Sequence, residues 1–226
     1  MQTTRYQVTP LDPNAHVFEV RCTVDDPDPA GQRFRLPTWI PGSYLIREFA
    51  RQFVHVRAEA AGRAIPIAKE AKDVWRAAPG EGPLTVVAKV YAFDLSVRTA
   101  YLDRTRAYFN GPSVFLSPEG RESAPCTVEL IPPAGDDFGD WRVATTLESD
   151  GAFAHAFGRY RAANYDELVD HPVELGRFWR GAFEAHGVPH EVVVAGALPS
   201  FDGERLLAIA LAVSYTHLTL PTKAEV

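Results

Sequence analysis

The feature that most constrains this chain is a long succession of short stretches in which apolar and polar residues alternate, each closed by Pro, Gly, Asp or Asn. Arg5-Tyr-Gln-Val-Thr9 alternates in this way, and His16-Val-Phe-Glu-Val-Arg-Cys-Thr-Val24 does so more strongly. A period of two places every second side chain on one face, which is the pattern of a half-buried strand. Asp-Pro-Asn before the second stretch and Asp-Asp-Pro-Asp-Pro after it supply turn chemistry. The series continues through Arg33-Phe-Arg-Leu36, Val54–Ala60, Asp73–Ala78, Leu84–Phe93, Thr127–Ile131 and Trp141–Leu147. Many short strands at regular spacing predict a mainly β, antiparallel β-sandwich-like domain.

The pattern changes after Asn164. Asn164 is placed as an N-cap for a short helix over Tyr165-Asp-Glu-Leu-Val-Asp-His171. Phe178–Ala185 and Glu191–Ala195 read as strands around a turn at Gly187-Val-Pro. Asp202-Gly-Glu-Arg-Leu-Leu begins like a helix, with acids in its first turn. A boundary is expected near residue 175.

Composition narrows the function. Of 226 residues, 46% are hydrophobic, enough for a sizeable core, and the formal net charge is −6. That charge, with no run of basic residues, argues against nucleic acid or an anionic membrane as the partner. No apolar stretch approaches the roughly 18–20 residues that span a bilayer. The opening Met1-Gln-Thr-Thr-Arg-Tyr lacks a signal-peptide core, so the expected location is cytoplasmic. The two cysteines, Cys22 and Cys126, are expected as buried free thiols; a disulfide between them is the alternative.

The residues alone carry little catalytic signal. His190-Glu191 is the one metal-like pair, but a zinc helix needs a second His at i+4, where Val194 stands. No nucleophile elbow or phosphate-binding loop occurs. The acidic pairs Asp25-Asp26 and Asp136-Asp137 sit in turns. Two segments are nonetheless unusual. Leu36-Pro-Thr-Trp-Ile-Pro-Gly-Ser-Tyr-Leu-Ile-Arg-Glu-Phe-Ala50 reads as a rigid connection packed under its aromatics. Tyr91–Asp103 followed by Ala107-Tyr-Phe-Asn-Gly-Pro-Ser-Val-Phe-Leu116 reads as a loop able to carry function.

The blocks LPTWIPGSYLIREFAR, YAFDLSVRTAYLD, FNGPSVFL and YDELVDHPVELG, in this order, resemble the N-terminal region of the glycyl aminopeptidase family, thermolysin-like zinc metallopeptidases that often carry a PDZ domain. The resemblance runs from about residue 4 to 211. It implies a β-rich N-terminal domain over 1–174 and the truncated start of an α+β catalytic domain over 175–212. The family's zinc and catalytic motifs lie further on, so no catalytic or metal residue is carried over and no cofactor is expected in this segment, zinc belonging to the parent enzyme. The implied partners are the missing catalytic domain of the same chain and, in the parent, a peptide substrate. Val213-Ser-Tyr-Thr-His-Leu-Thr-Leu-Pro-Thr222 resembles a translated sequencing adapter, so 213–226 is expected to be a non-native tail, and the helix opening near Asp202 is expected to be cut short. Residues 4–170 are expected as the ordered unit.

The reading is therefore a non-catalytic N-terminal domain of a zinc aminopeptidase that cleaves N-terminal residues from peptides. A free-standing β-sandwich binding module is the alternative, favoured by an exposed aromatic platform at Trp39, Trp75 or Trp141. A hydrolase built on His190 and Glu191 is the third. For substrate contact the candidates are Arg104, Tyr108 and Asn110, with Tyr108 flanking a peptide and Asn110 hydrogen-bonding its backbone.

Overall fold

The computed structural model describes residues 3–196 and 199–218, with side chains of the last helix described to Ser214. Contacts divide the chain into two units, Met1–Gly176 and Arg177–Val226.

Strands make up most of the regular structure of the first unit. It runs through β1 (Thr4–Asp12), β2 (Val17–Val24), β3 (Arg33–Arg35), β4 (Phe53–Ala60), β5 (Arg63–Ile65), β6 (Ile67–Ala71), β7 (Val74–Ala77) and β8 (Leu84–Tyr91). It continues with β9 (Ala100–Leu102), β10 (Arg106–Phe109), β11 (Ser117–Pro118), β12 (Cys126–Leu130), β13 (Arg142–Thr145), β14 (Glu148–Ser149) and β15 (Gly158–Ala162). Helix α1 (Tyr165–Asp170) and β16 (Val173–Gly176) follow. An eight-stranded sheet has the order β14-β15-β12-β1-β2-β8-β4-β5, and two four-stranded sheets have the orders β13-β16-β10-β9 and β11-β3-β7-β6.

The alternation read from the sequence sets which faces meet. Phe18, Val20, Cys22 and Val24 of β2 are buried, and the residues between them are half-exposed. On β8, Leu84, Val86, Ala88 and Val90 turn the same way. Phe18 on the large sheet meets the Phe109 ring of β10 edge-on at 5.8 Å, and Tyr6 of β1 meets Phe115 at 5.0 Å. These contacts make the two layers one core. Each fully buried aromatic contributes up to about 3 kcal/mol of transfer free energy. The phenol hydroxyls of Tyr6 and Tyr165 are satisfied inside that core, donating to the carbonyls of Leu116 and Phe115.

Among the described residues, strand pairing is antiparallel with one exception, β1 with β12, which run parallel from Thr4↔Cys126 to Val8↔Leu130. β1 thereby separates the two cysteines, since Tyr6 faces Cys22 on one side and Thr4 faces Cys126 on the other. Strands two apart stand roughly 10 Å from each other, beyond disulfide reach. Both thiols are free and buried. Burial pushes the Cys22 thiol up, and that of Cys126 up to about 12.

In the second unit, β17 (Phe178–Ala185) and β18 (Val188–Ala195) form a hairpin. The turn is His186-Gly187, both at positive φ, and Val188 and Pro189 belong to the strand rather than to the turn expected there. A two-residue loop with both φ values positive matches the twist of the strands it joins. Helix α2 (Gly203–Leu218) opens with the Asp202 carboxylate accepting the Arg205 N–H at 3.0 Å. The Trp179 and Phe201 rings meet edge-on at 5.3 Å.

Three expectations need correction. The stretch from Tyr91 to Leu116 is not one loop, because Ala100–Leu102 and Arg106–Phe109 are strands, the second held between β9 and β16. The ordered first unit reaches past residue 170, since β16 belongs to it. Helix α2 is not cut short near residue 212: it passes into the 213–226 segment as far as Leu218. No Gly or Pro interrupts Leu211–Leu218, so the backbone has no local reason to stop. Residues 219–226 of that segment lie outside the described residues.

Candidate functional site

Three of the four sequence blocks that carry the family resemblance converge at one end of the first unit. The block beginning at Leu36 leaves β3 and turns sharply. Ser43, buried, is its knot. Its hydroxyl donates to the Leu45 carbonyl at 2.8 Å and accepts from Arg47 Nε at 2.9 Å. The indole N–H of Trp39 donates to the Ser43 carbonyl at 2.8 Å, and the Arg47 amide donates to the Thr38 carbonyl at 2.7 Å. The connection is tied as the prolines suggested. Of its aromatics only Phe49 lies underneath, buried in the core, whereas Trp39 is 57% exposed and Tyr44 fully exposed.

The second block ends β10 and enters a 3₁₀ turn over Gly111–Ser113. Asn110 is fixed through its main chain. Its N–H donates to the Thr99 carbonyl, and its own carbonyl accepts from both the amide and the hydroxyl of Ser113. Its side-chain amide does not cap the turn. The third block is α1, whose Asn164 side chain accepts the Glu167 N–H at 2.8 Å while the Glu167 carboxylate reaches back to the Ala163 N–H at 2.6 Å. This exchange satisfies two amide donors at the helix start and is worth about 1 kcal/mol.

Gly111 is what lets the second and third blocks meet. A Cβ there would stand 2.5 Å from Val169 Cα and 3.0 Å from the Val169 carbonyl oxygen, so only glycine allows the α1 backbone this close. The result is a cleft of about 780 Å³ walled by Trp39 and Pro41, by Asn110 and Pro112, and by Asp166 and Asp170 of α1. A smaller groove of about 280 Å³ lies between Ile46–Gln52 and the Phe93–Thr99 loop. Its lining includes Ser113 of the Asn110 turn.

The three candidate residues separate. Asn110 lines the cleft. Tyr108 lies on β10 in register with Tyr101 and Glu174, and its hydroxyl donates to the Val97 carbonyl at 2.8 Å. Arg104 sits at the opposite end of the β9–β10 hairpin, ion-paired with Asp137 at 2.6 Å and lying over the Phe138 ring. Of the three tryptophans suggested as a platform, Trp75 and Trp141 are buried in the core. Trp39, Asp166 and Asp170 were not singled out as sharing a site, and no periodicity signals a cleft assembled from segments this far apart in the chain.

One buried carboxylate stands out on the β10–β16 sheet. Glu174 Oε1 has no hydrogen-bond partner, and Arg106 Nη1 is 4.0 Å from it. Burial raises this carboxyl to about 7, with Arg106 opposing the shift only in part. Burial and then Glu174 raise the Tyr108 phenol in turn.

His190 and Glu191 lie on β18, where the imidazole stacks on Phe183 at 4.9 Å and Glu191 stands 3.9 Å from Arg180. Among the described residues no three His, Cys, Asp or Glu side chains are grouped to hold a metal ion. Nor, among them, is any helix long and apolar enough to cross a membrane.

The family described as the peptidase M61 N-terminal domain matches residues 5–177. No curated protein matches the chain. Among solved structures, an aminopeptidase N family protein from Idiomarina loihiensis is similar at 36% identity and a TM-score of 0.90, over 96% of this chain and 36% of that one. An M1 zinc metallopeptidase from Deinococcus radiodurans is similar at 12% identity and a TM-score of 0.46, over 94% of this chain and 52% of that one. The chain thus spans little more than a third of the length of the Idiomarina protein.

Proposed function

This chain belongs to the peptidase M61 family through its N-terminal domain, and on that premise we propose that it serves as the non-catalytic N-terminal domain of a zinc-dependent aminopeptidase that removes N-terminal residues from peptides. The division proposed with it is a β-rich domain over 1–174, the opening of a catalytic domain over 175–212 and a non-native tail over 213–226. The described residues offer no donor set that fits zinc, so no chemical step is assigned to them.

The role assigned here is substrate binding at the cleft between Trp39, Asn110 and α1. The observation that carries it is Asn110. Its main chain is fully engaged, and its side-chain amide is left at the wall of the cleft. A primary amide offers both a donor and an acceptor, which is what an extended peptide backbone requires. Arg104 and Tyr108, each bound to its own neighbours, are assigned structural roles.

The test is Asn110→Ala in the full-length enzyme. Loss of one backbone hydrogen bond raises KM about three- to tenfold with kcat little changed, as expected for about 0.5–1.5 kcal/mol of uniform binding. Unchanged kinetics with a folded variant reject the role.

A further inference from the structure

The smaller groove, between Ile46–Gln52 and the Phe93–Thr99 loop, is lined by two arginines that the rest of the first unit leaves unmatched. Most arginines of that unit stand within 4.0 Å of a carboxylate, as Arg35 stands 3.0 Å from Glu119 and Arg104 2.6 Å from Asp137. Among the described residues, Arg47 and Arg51 have no carboxylate that near. The two acids on the same walls are already engaged. Glu48 is ion-paired with Lys72, and the Asp94 carboxylate accepts the Ser96 N–H at 2.9 Å. Two guanidinium groups thus line one groove with their charge unmatched.

Both arginines are set in place by the fold. Arg47 is half-buried. Its Nε donates to the buried Ser43 hydroxyl at 2.9 Å, and its amide donates to the Thr38 carbonyl at 2.7 Å. The Nη edge of its guanidinium stays available. Arg51 lies in the 3₁₀ turn Phe49–Gln52, where its amide donates to the Glu48 carbonyl at 3.1 Å. A guanidinium fork meets a carboxylate or a phosphate through two parallel hydrogen bonds. Holding the fork in place beforehand lowers the entropy lost on binding. The Ser96 hydroxyl accepts the Arg98 N–H at 3.3 Å and keeps its own hydrogen to donate.

The remaining walls choose between anions. Ile46 and Phe93 line the same groove and are 68% and 51% exposed. Phe93 is fixed by stacking on the rings of His16 at 3.9 Å and Tyr101 at 5.3 Å. A bare phosphate would leave these side chains in water, whereas an apolar body carrying a carboxylate would cover them. The groove holds about 280 Å³, just below the roughly 300–1,000 Å³ of pockets that enclose a drug-sized ligand. That volume suits one or two amino-acid residues. We propose that this groove is a carboxylate-binding site, in which Arg47 and Arg51 take the anion while Ile46 and Phe93 cover an apolar body the size of an amino-acid residue. The carboxylate is the terminal one of a peptide or that of an acidic side chain. Binding here is separate from the Asn110 cleft and needs neither the peptidase reading nor any further part of a longer polypeptide.

The test is isothermal titration calorimetry of the 226-residue chain with N-acetyl-phenylalanine, its amide, N-acetyl-glutamate α-amide and inorganic phosphate. At least one of the two carboxylates binds about tenfold or more tightly than N-acetyl-phenylalanine amide. Tighter binding of N-acetyl-phenylalanine assigns the site to a terminal carboxylate, and tighter binding of the glutamate amide to an acidic side chain. Arg51→Gln, at an exposed position, weakens that binding about tenfold. Arg47→Lys keeps the charge but loses the fork and weakens it as well. Arg63→Gln, exposed and away from the groove, leaves it unchanged. Circular dichroism shows that each variant is folded. Equal binding of N-acetyl-phenylalanine and its amide, or no binding of either carboxylate, overturns the site. An affinity that Arg51→Gln leaves unchanged overturns its location. Phosphate bound as tightly as either carboxylate overturns the ligand class.

Discussion

Replacing Glu174 by Gln makes the stability of the first unit less sensitive to pH, in a direction opposite to that of an ordinary surface carboxylate. Glu174 lies on β16 with its side chain 19% exposed, Oε1 without a hydrogen-bond partner and Arg106 at 4.0 Å. Burial disfavours the charged form, and the single distant cation does not offset it, so the folded-state value rises from 4.5 to about 7. Between those two values the folded state holds a proton that the unfolded chain has released. Stability therefore falls as pH rises through this window. It is highest, as far as Glu174 is concerned, below the unfolded value and lowest above the folded one. A gap of this size corresponds to about 3 kcal/mol. Gln keeps the shape and an acceptor but carries no charge. Glu174→Gln is expected to raise unfolding free energy by up to about 3 kcal/mol at pH 8 and to leave it nearly unchanged at pH 4. Urea unfolding followed by the fluorescence of the buried Trp75 and Trp141 reads the difference at each pH. A variant whose advantage is the same at pH 4 and pH 8 refutes the reasoning, because a packing effect would not titrate.

Two further predictions concern close packing. Gly111→Ala forces a methyl group against the Val169 backbone, and it should cost about 1–3 kcal/mol in chemical denaturation; a neutral result shows that α1 can retreat freely. Cys22 and Cys126, both buried and with their thiols shifted upward, should resist a thiol reagent at pH 8 in the folded chain and react fully after unfolding, a result read by mass spectrometry and contradicted by labelling of the native protein.

Much of the β architecture was legible residue by residue. The alternation over Val17–Val24 named the buried face correctly at every position, because a strand's pleat converts a period of two directly into two faces. Asn164 announced α1, because a side-chain acceptor before a helix satisfies an amide that nothing else in the chain can reach. β10 was less legible. Ala107-Tyr-Phe-Asn is too short to show a period, and its strand character comes from having β9 and β16 on either side. The chain between Leu211 and Leu218 misled in another way. Its resemblance to an adapter predicts foreign sequence, but foreign sequence without Gly or Pro can still continue a helix already begun.

The candidate site divides along the same line. Its parts were visible as sequence blocks: a Pro-Thr-Trp-Ile-Pro-Gly turn, an Asn-Gly-Pro turn and a capped helix. That they wall one cleft was not visible, and neither was the separation of Asn110 from Arg104 and Tyr108. Local chemistry specifies which face of a short segment is apolar and where the backbone must bend. It carries no term for which distant segment lies opposite. The parallel pairing of β1 with β12, the approach of α1 to Gly111 and the solvent-facing indole of Trp39 are each decided by side chains far away in the chain. The sequence by itself determined most of the strands and the short capped helix. The tertiary structure decided which turns meet and which apolar side chains stay in water, because both depend on packing between elements that are distant in the chain.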